Sequence, residues 1–291
     1  MYSKILIPLD GSKFAEAVLP YARLLAQELK IPVDLLCVND PHETPACAPY
    51  MVNEYLAKTA ASFGPTAGAI VESGHTATTI VELAAAQPDL LIAMATHGYS
   101  GAKRWLLGSV ADKVLRGGAN HVLLVHPANG EPPAEVKLTT VLVPLDGSKV
   151  AETVLPTVSE LASRLNLGIE LVRVSRRIYS APPEAFLPVF GASAPNLKTL
   201  WQEARDEADN YLVDIVSQLR RQGLSQVDSL VRESAADGAA AAIIDLITHT
   251  PDSLVAICTL GESGIGTWPI GNVTERVVRH TSRPVLVLRP R

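Results

Sequence analysis

Gly98, nine further residues, then Gly108 and Ser109 form the stretch of this 291-residue chain whose residue types and spacing are best suited to chemistry. Gly98 lets the chain leave a strand with no side chain in the way, and Gly108-Ser109 open a helix. The first N–H groups of a helix lack intrahelical partners, and with the helix dipole they favour an anion such as phosphate. Lys103 and Arg104 lie inside the nine-residue spacer, available to the same phosphate. Asp10, in "LDGS", can accept hydrogen bonds from a ribose hydroxyl or an adenine amine. Each residue also has a plain structural reading: Ser109 as an N-cap, Gly98 as a turn, Asp10 as a cap for the first helix, the two cations as a solvated face. Spacing alone leaves both readings open.

Other chemistries lose at named positions. An aspartyl-nucleophile motif, D-x-D-G, needs a second Asp where Pro8 stands, and Pro144 stands at the same place in "VPLDGS". No G-x-x-x-x-G-K-[ST] phosphate loop occurs, nor a Ser-Gly-Gly loop after the first strand. His97 has no second titratable group tied to it by spacing and reads as a structural loop residue. Cys37, Cys47 and Cys258 are an odd, scattered set, which excludes a disulfide framework and a zinc cluster, and Cys37 and Cys258 read as small buried residues. A formal charge of -5 argues against nucleic acid or an anionic membrane as partner. With no apolar run of membrane-span length and no signal-peptide pattern in Met1–Lys4, the expectation is a soluble cytoplasmic protein.

The loops at Asp10 and Gly98 are far apart in sequence, so a fold must bring them together. "KILIPLD", "VDLLCV", "AGAIVE", "DLLIAMAT" and "HVLLVH" are apolar runs without alternation, as in strands buried on both faces. Helical spacing separates them, in Ala15–Leu29, Thr78–Ala86 and Ser109–Leu115. The stretch Lys4–Val38 recurs as Thr140–Val174 at an offset of 136, roughly half identical, and the two ends match at an offset of 163. The 27 extra residues of the second copy fall mostly in Ser180–Pro195, read as a surface insertion. The fold class is therefore α/β, with two repeated doubly wound domains. Each is a five-stranded parallel sheet of order 3-2-1-4-5 with helices on both faces. The domains are set at residues 1–127 and 138–291, with 128–137 as linker. That order reverses between strands 1 and 4, where ligands bind beyond the carboxyl ends, and the loops at Asp10 and Gly98 meet there. Pro8 and Pro144 sit in first strands, and Pro20 and Pro156 predict a kink or break in the first helices.

"ILIPLDGS", "ATHGYSGAKRWLLGSVADKVLR" and "VLLVHP" together resemble a universal stress protein domain. "VLVPLDGS", "CTLGESGIGTWPIGNVTERVVRH" and "PVLVLRP" repeat the resemblance, so the chain is similar to a tandem universal stress protein almost end to end. The ATP-binding branch of that family carries Gly, two residues, Gly, nine residues, then Gly-Ser or Gly-Thr. Here Ala95 replaces the first Gly of copy one. In copy two, Cys258 replaces the first Gly and Asn272 the Ser, while Gly261 and Gly271 fit. The resemblance implies ATP, with or without Mg2+, in the first copy. Its contacts would come from Pro8, Leu9, Asp10, Val38, Ala95, His97, Gly98, Gly108, Ser109 and Val110. It implies a stress-response module that is no enzyme beyond a slow ATPase, with a nucleotide-free scaffold as the alternative. Family domains dimerise along the last strand, so His121–His126 and Pro284–Arg289 are expected to pair within the chain, and a homodimer stays open. The apolar insertion is expected to cover part of its own domain or the other copy.

Overall fold

In the computed structural model, residues 1–41, 49–97, 107–127, 136–176, 197–234, 238–261 and 270–290 are described. Ser180–Pro195, Gly98, Lys103 and Arg104 lie outside them, as does most of the linker.

The first copy runs β1 (Lys4–Pro8), α1 (Leu19–Leu29), β2 (Val33–Asn39), α2 (Pro49–Ala61), β3 (Ala67–Ser73), α3 (Thr76–Ala85), β4 (Leu90–Ala95), α4 (Ser109–Gly117) and β5 (Val122–Val125). The second follows as β6 (Thr140–Pro144), α5 (Leu155–Leu165), β7 (Gly168–Arg176), α6 (Leu197–Arg221), β8 (Val227–Ser234), α7 (Gly238–His249), β9 (Ser253–Cys258), α8 (Asn272–His280) and β10 (Val285–Leu288). The sheet order in the first copy is 3-2-1-4-5, all parallel, as the sequence predicts. The second copy repeats it. Burial on both faces explains the unbroken apolar runs: Ile5, Ile7, Leu35 and Ala93 pack to one side, Leu6, Leu36 and Ile92 to the other.

The prolines find places where a missing N–H costs nothing. A short 3-10 turn, Ala15–Val18, precedes α1, so Pro20 lies in the first turn of α1 rather than inside a longer helix. In the second copy one helical turn, Lys149–Glu152, precedes α5, and Pro156 sits likewise. The expected break is thus a helix start. Ile5 donates its N–H to the Pro32 carbonyl just before β2 and Leu9 donates to Leu36 within it, so Pro8, at an even position, faces the β4 side. The β1–β4 register ends at Leu6 with Ile92, before the proline.

β5 and β10 pair antiparallel, Leu124 with Val285 and Val122 with Val287, joining the two sheets into one of ten strands. Above this seam α4 and α8 exchange charges in a nearly twofold pattern. Arg116 reaches Asp112 at 2.9 Å and Glu275 at 3.2 Å, and Arg279 reaches Glu275 at 2.9 Å and Asp112 at 3.4 Å. The four residues are two equivalent pairs at the 163 offset, so the repeat writes its own complementary interface.

Candidate functional site

The carboxyl ends of β1 and β4 carry the predicted loops. Gly11 turns at φ 81°, a left-handed conformation that a side chain would strain. Asp10 Oδ1 then accepts from the Ser12 N–H (2.9 Å) and hydroxyl (2.6 Å), and the Ala15 N–H donates to Ser12 Oγ at 3.1 Å. Asp10 therefore caps the loop through one oxygen, as its structural reading holds. The second copy reproduces the turn with Gly147, Asp146 and Ser148.

Asp146 also explains a glycine. A Cβ on Gly261 would collide with Asp146 Oδ2, so this position must be glycine for the first-strand carboxylate to lie against the fourth-strand loop. Gly108 serves differently: its φ is −60°, and its N–H donates to the Thr96 carbonyl at 2.8 Å. A Cβ there would stand 2.8 Å from that carbonyl oxygen. The close approach pins the start of α4 to the end of β4. Ser109 is exposed at that start, with Val110 half-buried, and no side-chain cap is made. Gly271 docks on Thr259 in the same way, at 2.7 Å.

Of the other predicted contacts, Pro8 and Val38 are half-buried at the ends of β1 and β2. Leu9 buries its side chain in the core, so it offers a ligand its backbone. Ala95 is the buried last residue of β4, and neither it nor Cys258 has positive φ. The methyl that replaces the motif's first glycine thus causes no backbone strain.

His97 is half-buried and makes a contact the spacing did not show. Its Nδ1 lies 3.1 Å from Thr96 Oγ1, and His126 Nδ1 lies 3.0 Å from the same hydroxyl. One hydroxyl proton serves one imidazole, so the other donates its own Nδ1–H. Both Nε2 atoms are buried without a partner among the described residues. Burial lowers the pKa of both rings, and for His126 burial, then the neighbouring His97, brings it down to about 4. Both are neutral at pH 7. The second copy has Leu260 and Arg289 at these places.

Three further groups were missed. Tyr55 donates to Glu16 (3.0 Å) and Tyr211 to Glu152 (3.3 Å), an equivalent pair in each copy hidden because the repeat loses its constant offset before Tyr55. Asp40 accepts from the Thr76 N–H at 3.0 Å and caps α3. Arg173 brings a cation to the second copy's loop, about 3 Å from where a Cβ on Gly147 would be. It stacks over Tyr211 (4.9 Å) and pairs with Glu207 at 3.3 Å. The 136 offset already set it against Cys37.

The universal stress protein family matches residues 1–126 and again 137–289. The chain belongs to the universal stress protein family. A universal stress protein from Archaeoglobus fulgidus is similar over 100% of both chains at 18% identity and TM-score 0.68. A functionally unknown protein from Pseudomonas aeruginosa is similar over 99% of this chain and 93% of its own, at 17% identity and TM-score 0.67. These likenesses show that the tandem arrangement recurs in a solved universal stress protein fold. One solved universal stress protein in complex with cAMP matches 53% of this chain and 99% of its own at 17% identity and TM-score 0.34. A search of curated proteins returned no match. No helix among the described residues is long and apolar enough to cross a membrane.

Proposed function

We propose that this universal stress protein is a regulatory module that binds adenine nucleotide, ATP with or without Mg2+, in its first copy. One observation carries the reading: Gly108 pins the N-terminus of α4 to the end of β4, the strand that neighbours β1 and its Asp10 turn. Exposed Ser109 and the first N–H groups of α4 then face the switch point, where phosphate oxygens are held by backbone donors and the helix dipole. Pro8 and Val38 supply an apolar wall at the ends of the two strands beside it. In the second copy Arg173, a cation beside the loop, already has Glu207 and Tyr211 as partners, and Asn272 replaces the serine. The reading is one of binding, with slow hydrolysis at most.

Gly108→Val is a poor test, because the added carbon meets the Thr96 carbonyl whether or not ATP binds. Ser109→Glu is better: a carboxylate in a first helical turn favours the helix and repels phosphate. Calorimetry with ATP on the full chain should give binding to wild type and to Asn272→Glu, and none to Ser109→Glu. At a thousand times the dissociation constant, ligand adds about 4 kcal/mol to the stability of the binding unit, visible as a melting shift. Absence of heat from wild type, or loss in Asn272→Glu instead, refutes the assignment and favours a nucleotide-free scaffold.

A further inference from the structure

Arg289, just past β10, occupies in the second copy the place that His126 holds in the first. Its Nη2 donates to the Leu115 carbonyl near the end of α4. Its Nε is buried and has no partner among the described residues. Among the described residues no carboxylate pairs with it, and burial lowers the pKa of the guanidinium. Arg116 and Arg279 differ, since each holds one acid on its own helix and one across the seam. A half-buried cation without a counter-charge is costly unless something supplies one.

The space beside it can. A cavity of about 600 Å³ opens between the copies, within the range of small-molecule sites. Its walls include Arg116 and Ala119 from the first copy and Leu260, Arg289 and Pro290 from the second. It lies on the β9–β10 side of Leu260, whereas Asp146 meets Gly261 on the β6 side, so it is not the second copy's nucleotide cleft. Asn120, also in the wall, spends its amide hydrogens on Gln87 and Leu90 carbonyls, and Arg116 is held by its two acids. Among the charged side chains of the described wall, Arg289 is left as the group able to receive an anion. Leu260 and Pro290 suit an apolar body better than a bare ion. On its other side Arg289 borders a smaller cavity, about 180 Å³, whose wall includes Asp89 and Glu160. It pairs with neither.

We infer that the cleft between the copies binds a small organic anion, a phosphate or carboxylate with an aromatic or aliphatic body, whose head sits on Arg289. The first copy has neutral His97 and His126 at the matching places, where Leu260 and Arg289 stand in the second. Phenyl phosphate, benzoate and the neutral benzyl alcohol are the probes, added to the full chain at constant ionic strength while melting and calorimetry are read. At least one anion should raise the midpoint saturably, benzyl alcohol should not, and the responding anion names the head group. Arg289→Met should weaken that anion tenfold or more and leave the unliganded midpoint unchanged or higher, because an uncompensated charge has been removed. Ala119→Trp, at an exposed position, fills the cavity with Arg289 in place and should abolish binding at an unchanged midpoint. Ser109→Glu should bind the anion like wild type, which separates this site from the nucleotide site. The inference fails if no anion binds or if benzyl alcohol shifts the midpoint equally. It fails too if Ala119→Trp still binds, if Ser109→Glu loses the effect, or if Arg289→Met melts several degrees lower.

Discussion

Acid should loosen the first copy through His126, and the size of the effect can be worked out. Burial, with His97 alongside, depresses this imidazole from an ordinary 6.5 to about 4 in the folded protein. The folded state therefore declines a proton that the unfolded chain accepts. Stability is fully present above the unfolded pKa, falls as pH drops from 6.5 toward 4, and levels off below that. Linkage gives a loss of ~1.4 kcal/mol at about pH 5.5 and ~2.5 kcal/mol at about pH 4.5. His97, shifted the same way, adds to it. Urea unfolding of wild type and His126→Gln across this range isolates the term, because carboxylate titrations common to both cancel in the difference. The glutamine amide keeps a partner for Thr96 Oγ1 and cannot titrate. The variant should lose correspondingly less stability between about pH 7.5 and pH 4.5 than wild type. Equal losses would mean that His126 is not held neutral, and the buried Thr96-centred pair would have to be abandoned.

Gly261→Ala should cost about 1–3 kcal/mol because its Cβ enters the space of the Asp146 carboxylate. Adding Asp146→Ala should restore much of that in a denaturant series, and simple additivity would refute the contact as its cause. A double-mutant cycle on Asp112 and Arg279, which sit in different copies, should give a coupling of about 0.5–1 kcal/mol that weakens in high salt. Zero coupling would mean that the charges across the seam are decoration.

Much of this architecture was legible because buried parallel strands must be apolar on both faces. "DLLIAMAT" and "HVLLVH" announce β4 and β5 within a residue or two, whereas the paired prolines, read as a kink or break, stand in the first turns of α1 and α5. Gly108 was legible as a helix opening, but the reason for glycine was not: it is the Thr96 carbonyl, a tertiary neighbour twelve residues away. Tyr55 and Tyr211 escaped because they lie where insertions differ and the offset drifts. His126 and Arg289 escaped for another reason. A residue just past a strand has no periodicity to announce it, and only the meeting of β4 with β5, and of α4 with β10, gives it work.

The antiparallel seam of β5 and β10 has a consequence for how the two halves can differ. Two identical chains meeting along such a seam must write every substitution twice, once in each half, so their clefts change together. Here the partner is supplied by the same chain, at an effective concentration set by a short tether rather than by expression level. Each position in either copy is then a single independent choice. Histidine at 126 can stand with arginine at 289, and cysteine at 37 with arginine at 173, with no compromise between them. The chain keeps the mechanics of a symmetric pair while its two ends are free to listen for different molecules.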